Sequence, residues 1–205
     1  MFDDTYKTIA KKAEGLFRDK GSRFIGFAYP VRSELEVKEI MTGLKKEYFD
    51  ATHHCYAYYI GHIGTPATRM NDDGEPSGTA GRPIYGQIVS SELKNILIVV
   101  IRYFGGTKLG VSGLIHAYKE TAKITIENAE IIENTIRNIY SIGFDYPLMN
   151  TVMQVLKNDA VTIKDNGYSD DKALITFEVT RSYSQEITTQ LDKIFGVSQK
   201  FLGII

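Results

Sequence analysis

The sequence predicts an α+β chain of two domains, and three observations carry that prediction. The first is the strand-like segment from Asn95 to Tyr103 (NILIVVIRY), whose unbroken apolar run suits a central strand covered on both faces. The second is a long amphipathic helix after it, entered through a glycine-punctuated turn at Gly105, Gly106, Gly110 and Gly113. The third is the order of elements after about residue 134, which reads β-α-β-β-α-β, the ferredoxin-like signature.

Taken in order, Tyr6 to Phe17 mixes charged and apolar residues with weak strand character, and Ser22 to Val31 (SRFIGFAYPV) reads as a strand closed by Pro30. Ser33 with Glu36 has capping-box spacing, and Val37, Ile40, Met41, Leu44 and Tyr48 form the helical stripe that follows. His53 to Ile60 (HHCYAYYI) reads as a strand, Gly61 to Gly78 as a loop, and Arg82 to Val89 as a short helix. The long helix runs to about Asn128 with Leu114, Ala117, Tyr118, Thr121, Ile124 and Ile126 near its buried side.

Glu130 to Asn134 marks the boundary, which divides the chain into residues 1–133 and 134–205. Beyond it the expected elements are a strand at Ile136 to Phe144 and a helix at Tyr146 to Asn158. Strands at Val161 to Tyr168 and Ala173 to Arg181 are joined by a turn at Ser169-Asp170-Asp171. A helix at Ser184 to Phe195 and a last strand at Gln199 to Ile205 complete the pattern.

Composition bounds the function. The 205 residues are 43% hydrophobic and 24% charged, an ordinary globular balance that supports two small cores without staples. A formal net charge of −1 argues against an indiscriminate polyanion binder but permits a local basic patch. Cys55 is the only cysteine, so no internal disulfide is available and a reducing compartment fits. The N-terminus has acidic residues and no apolar h-region, and the longest apolar run, Ile96 to Ile101, is too short to span a membrane. These features lead us to expect a cytoplasmic protein without membrane contact.

Three segments could carry chemistry. Asn71 to Pro83 (NDDGEPSGTAGRP) gathers Asp72, Asp73 and Glu75 beside Ser77, Thr79 and Arg82. It reads either as a functional surface loop or as a tight turn with a capping hydroxyl. EF-hand spacing fails, because Pro76 stands at the fifth ligand position and the closing Glu is missing. Arg102 to Lys119 runs from strand through glycines into helix, a context that suits an anion, with Gly105, Gly106, Lys108, Gly110 and Ser112 as candidate contacts and Arg102 adding charge. The competing account is glycine for a sharp turn and close packing. Neither GxxxxGK[ST] nor GxGxxG is present; Gly81 and Gly86 have the Walker spacing, but Gln87 stands where Lys is required. In the third segment, His53-His54-Cys55, strand alternation puts His53 and Cys55 on one face and His54 on the other, so the triplet offers no three-ligand metal site. Tyr56, Tyr58 and Tyr59 read more simply as sheet packing than as base stacking. No cofactor and no metal is expected, and no complete catalytic motif is present.

These segments, in this order, resemble the IMPACT/YigZ family (UPF0029). The anchors are GSRFIGFAYPV, ATHHCYAYYIG, DDGEPSGTAGRPI and VVIRYFGGTKLGVSGLIHAYKETA, so the likeness spans nearly the whole chain. Asn71, Ser112 and His116 depart from the residues common at their positions; the last removes a fixed positive charge from the helix face. The resemblance implies an N-terminal α/β domain like domain 2 of ribosomal protein S5 and a C-terminal ferredoxin-like domain similar to domain V of elongation factor G. Both folds recur in translation machinery. It further implies a eukaryotic counterpart that acts in translation control, competing for the activator of a kinase of translation initiation factor 2, and that associates with ribosomes.

Two function classes follow. In the first, a polar cleft of the N-terminal domain, formed by His53, His54, Asp72, Asp73, Glu75, Thr79, Arg82 and Arg102, engages RNA, the ribosome or a translation factor, with Arg69 and Lys108 adding charge. Residues 134–205 hold 7 Lys/Arg and 8 Asp/Glu, so that domain makes no electrostatic footprint by itself. In the second, the same cleft is that of a small-molecule enzyme with an anionic ligand. A nucleophile–base pair and a nucleotide motif are both missing from the sequence, which favours the first.

Overall fold

The structure, a computed structural model, describes residues 4–169 and 172–205. The chain divides into two compact units. One is Lys7–Glu133; the other is Asn134–Ile205 together with the described residues before Lys7. The α+β class is the one the sequence predicts.

Tyr6 to Phe17 resolves into two strands, β1 (Thr5–Ile9) and β2 (Ala13–Asp19), followed by β3 (Ser22–Pro30). Helix α1 (Glu34–Glu47) starts at Ser33, whose hydroxyl accepts the Glu36 N–H at 3.2 Å. The reciprocal half of the expected capping box is altered: the Glu36 carboxylate takes the Ser33 hydroxyl and the Arg32 N–H. Strand β4 (His53–Ile60) follows. The stretch expected to be all loop then contains a strand, β5 (Ala67–Asn71). It is a mostly exposed edge strand, so it has no buried face and leaves no hydrophobic alternation to read. Helix α2 (Gly81–Ser90), strand β6 (Ile96–Tyr103), helix α3 (Gly110–Glu127) and strand β7 (Ile131–Thr135) complete this stretch.

The main sheet has the order β2-β3-β6-β4-β5, with every neighbouring pair antiparallel, so β6 is its middle strand. Its residues alternate between two cores. Ile96, Ile98 and Val100 pack with Ile84, Ile88, Leu114, Ala117, Tyr118 and Ala122 of α2 and α3. Leu97, Val99 and Ile101 pack with Val37, Met41 and Leu44 of α1. That two-sided burial is why the strand reads as a continuous apolar run. A separate two-stranded ribbon pairs β1 with β7.

The second unit contains β8 (Arg137–Asp145), a 3₁₀ turn at Tyr146–Leu148, α4 (Met149–Leu156), β9 (Val161–Ser169), β10 (Lys172–Thr180), a 3₁₀ turn at Arg181–Tyr183, α5 (Ser184–Asp192) and β11 (Ser198–Ile204). Its four-stranded antiparallel sheet has the order β11-β8-β10-β9, and Ile142, Phe144, Ile175, Phe177, Val152 and Ile187 fill its core. Both helices are shorter than expected: the first begins as a 3₁₀ turn carrying Pro147, and the second ends before Phe195, whose side chain is exposed. Asp170 and Asp171 of the expected hairpin turn lie outside the described residues. Among the described residues, no helix is long and apolar enough to cross a membrane.

Candidate functional site

The site forms where the start of β4, the loop from Asn71 to Gly81, the end of β6 and the middle of α3 meet. Strand register begins it: His53 is the cross-strand partner of Arg102. Direct partners in neighbouring strands point to the same face, and for this pair it is the face covered by α2 and α3.

The loop is held by its first carboxylate. Asp72 accepts three backbone N–H groups, from Gly78 at 2.8 Å, Ala80 at 3.0 Å and Gly81 at 2.8 Å. Two of those amides open α2, so Asp72 caps that helix from eight and nine residues upstream. Asn71 accepts the Asp73 N–H at 2.8 Å, and the chain then turns through two left-handed residues, Asp73 (φ 44°) and Gly74 (φ 88°). Thr79 is buried and donates its hydroxyl to the Pro76 carbonyl at 2.7 Å, which closes the next turn.

Turned inward by this loop, Glu75 is almost fully buried. One carboxylate oxygen accepts the Arg102 guanidinium at 2.6 Å and the Tyr118 hydroxyl at 2.8 Å, while the other lies 3.8 Å from His53 Nε2. The Arg102 side chain is only 6% exposed, so the pair is a buried ion pair with an added hydroxyl donor. Its second terminal nitrogen reaches the Ser22 hydroxyl at 3.5 Å, and Arg102 Nε is buried with no partner among the described residues. His53 Nδ1 donates to the Asp73 carbonyl at 2.8 Å, leaving Nε2 turned to the carboxylate.

Cys55 directs its thiol at the Asp72 carbonyl (3.0 Å) and the Tyr118 oxygen (3.3 Å). Burial pushes both the Cys55 thiol and the Tyr118 hydroxyl far above their ordinary pKa values, so neither supplies an anion near neutral pH. On the opposite face, His54 Nε2 donates to the Tyr48 carbonyl at 3.0 Å, and its own N–H is taken by Asp73 at 2.7 Å. Desolvation lowers the His54 pKa despite the helping carbonyl and Asp73. Beside Asp73, which also pairs with Lys45 at 3.3 Å, a groove of about 430 Å³ opens between α1 and the sheet; Lys38, Met41, Tyr56 and Arg69 help to line it.

Other candidate residues lie apart from this network. Arg82 is exposed at the start of α2, and Arg69 is exposed on β5. The glycine turn differs from expectation in its charge: Arg102 is engaged with buried Glu75, so it does not lend a free positive charge to the start of α3. Gly105 packs against the β2–β3 hairpin so closely that a Cβ there would lie 1.9 Å from the Gly21 carbonyl carbon. Its N–H donates to Ser22 at 3.2 Å. Gly106 (φ 87°) and Gly110 (φ 74°) are left-handed, whereas Lys108 and Ser112 are exposed. In the second unit the paired aromatics Tyr140 and Phe177 belong to the core cluster, so they offer no stacking platform on the other sheet face.

Sequence reasoning missed Ser22, Cys55 and Tyr118 as members of the network. Tyr118 stood on the buried stripe of α3, and a tyrosine there needs a partner for its hydroxyl, which was the available signal. Among the described residues, no group of three His, Cys, Asp or Glu side chains is arranged to hold a metal ion.

The stretch that builds this network is the stretch a known family model matches. Residues 20–126 match the Impact N-terminal domain. The chain belongs to the IMPACT family. It is 34% identical over 190 residues to the IMPACT family member YvyE of Bacillus subtilis (strain 168), covering 90% of this chain and 86% of that protein. It is 39% identical over 138 residues to the IMPACT family member YigZ of Escherichia coli (strain K12), covering 67% and 68% respectively. A crystal structure of a hypothetical protein superposes on it with a TM-score of 0.72 at 26% identity, covering 98% of both chains. Every residue of the Glu75 network lies inside the matched IMPACT region, and the second unit lies outside it.

Proposed function

We propose that this chain is a translation-associated binding protein that works in the cytoplasm and engages RNA, the ribosome or a translation factor through its N-terminal unit. The association with translation is taken from what membership of the IMPACT family implies. The observation that carries the choice of binding over catalysis is the state of the polar cluster. Asp72 is held by three backbone amides, and Glu75 is held by Arg102 and Tyr118. His53 faces that same carboxylate, and the Cys55 thiol is kept protonated by burial. A general base or nucleophile needs a free lone pair aimed at a substrate. These groups aim at one another, so they act as a frame that fixes the loop and the strand ends around it.

Charge supports the same reading. Residues 7–133 carry 17 Lys/Arg against 15 Asp/Glu; with Asp72, Glu75 and Arg102 engaged inside the frame, 16 cations remain against 13 carboxylates. The surface of this unit is therefore more basic than the chain as a whole. Ribosome co-sedimentation of the purified full chain at low and high salt tests the proposal. Co-sedimentation that weakens as salt rises is the expected result. A chain that stays in the supernatant at low salt overturns it, and the small-molecule enzyme then becomes the better account.

A further inference from the structure

At the tip of the β2–β3 hairpin two residues, Lys20 (φ 43°) and Gly21 (φ 79°), make the turn, both in the left-handed region that such hairpins require. Glycine adopts that region freely, but a lysine there is strained. Just behind the tip, Arg18 and Arg23 are direct partners across β2 and β3, and Arg23 is in turn the direct partner of Tyr103 across β3 and β6. Direct partners share a face, so Arg18, Arg23 and Tyr103 stand in a row across three strands. The Arg23 guanidinium lies over the Tyr103 ring, 4.5 Å from its centroid.

Arg18, Lys20 and Arg23 are all exposed, and a hollow of about 540 Å³ lies among them, Asp19 and Tyr103. Among the described residues no carboxylate comes within ion-pair distance of these three cations. Of the nearby acids, Asp50 accepts the Tyr103 hydroxyl at 2.8 Å, and Asp19, although it borders the hollow, makes no ion pair with these cations. Like charges directly opposite one another in a sheet repel. Here they are paired with no carboxylate in ion-pair contact, beside a strained lysine and on a solvent-open corner, and one carboxylate, Asp19, faces three cations around the hollow, so positive charge remains for an external anion to balance.

We propose that this hairpin end is a binding surface for the sugar–phosphate chain of single-stranded RNA. A lone phosphate is best held by donors converging in an enclosed pocket. Three cations spread along an open hairpin suit a series of phosphates instead, and the Arg23 guanidinium, backed by the Tyr103 ring, supplies a planar cation for a base. The inference rests on the translation-linked binding reading and deepens it by naming both the surface and the ligand class.

Fluorescence anisotropy of the full chain with a labelled oligouridylate of about 12 nucleotides tests it across roughly 50 to 200 mM salt. The expected result is binding that weakens with salt. The Arg18→Ala/Arg23→Ala double variant should lose about tenfold or more in affinity at low salt, and its salt slope should shrink by about 1.4, from two lost phosphate contacts. A Lys193→Ala/Lys200→Ala control in the other unit should bind as the parent does. Because the repelling pair is gone, the double variant should keep its thermal midpoint, which separates lost binding from lost folding. No binding by the parent, an unchanged affinity and slope in the double variant, or an equal loss in the control would each overturn the proposal. Ribosome co-sedimentation run in parallel separates the two levels. A parent that pellets with ribosomes but ignores the oligonucleotide sinks this surface alone, and one that does neither sinks the functional reading as well.

Discussion

Arg102 on the middle strand and Glu75 in the loop meet at 2.6 Å with both side chains almost entirely buried. A buried ion pair contributes little net stability over a well-packed apolar pair, but removing one partner leaves a charge without compensation. Glu75→Ala should therefore destabilise the N-terminal unit by about 3–5 kcal/mol, and Arg102→Met by a similar amount. The double variant should cost less than the two singles combined, because neither charge is then stranded. Urea unfolding of the four proteins checks this. Strict additivity would mean that the pair is not coupled as the geometry requires.

The glycine turn separates two reasons for glycine. Gly105→Ala places a Cβ 1.9 Å from the Gly21 carbonyl carbon, and the close atoms are all backbone of the Gly21–Ser22 peptide, so this variant should fail to form the native hairpin contact. Gly106→Ala meets nothing within 4 Å and pays only for its left-handed φ of 87°, a cost of about 1–2 kcal/mol. Circular dichroism melts should rank Gly105→Ala far below Gly106→Ala. Equal losses would contradict the packing role of Gly105.

His54 gives a pH dependence of definite sign. Its folded pKa lies below the ordinary value of 6.5 because burial disfavours the imidazolium. The unfolded chain therefore binds the proton more readily than the folded one. Stability from this group is complete above about 6.5 and is lost as pH falls from there towards the folded pKa. His54→Gln should flatten the stability profile between about pH 6.5 and 5, where carboxylates contribute least. A variant whose denaturation midpoint follows the same slope as the parent would remove His54 as the cause.

We take the boundary at Glu133/Asn134 as one between independently folding domains. A 134–205 fragment retains the whole four-stranded sheet and both of its helices. It lacks Asp4, whose carbonyl accepts the Ile136 N–H at 2.6 Å and whose carboxylate accepts the Ser182 N–H at 2.8 Å. The fragment should unfold cooperatively, but about 1–2 kcal/mol less stably than one in which residues 1–6 are restored. A fragment without a cooperative transition would place the boundary elsewhere.

Legibility in the sequence followed the range of the forces involved. Strand β6 was readable because each residue from Ile96 to Ile101 faces one of two cores, which makes that run apolar throughout. Strand β5 was not, because an exposed edge strand is specified by its neighbour's backbone rather than by its own side chains. The loop's polar density marked it as a candidate, yet its three carboxylates have three unlike tasks that no spacing distinguishes. Asp72 holds backbone amides, Asp73 bridges His54 and Lys45, and Glu75 pairs with an arginine 27 residues away.

From the sequence alone came the α+β class, the main helices and buried strands, the division of His53 and His54 between faces, and the family resemblance. Those features rest on local periodicity, turn chemistry and motif order, all of which act within a few residues along the chain. Only the tertiary structure decided that Arg102 turns to Glu75 and not to the glycine turn, that Gly105 is a contact glycine, and that Arg18, Arg23 and Tyr103 form one row. Each of these depends on which strands lie side by side and in what register. That choice is made by burial of the whole sheet between its helices, so no stretch of sequence encodes it by itself.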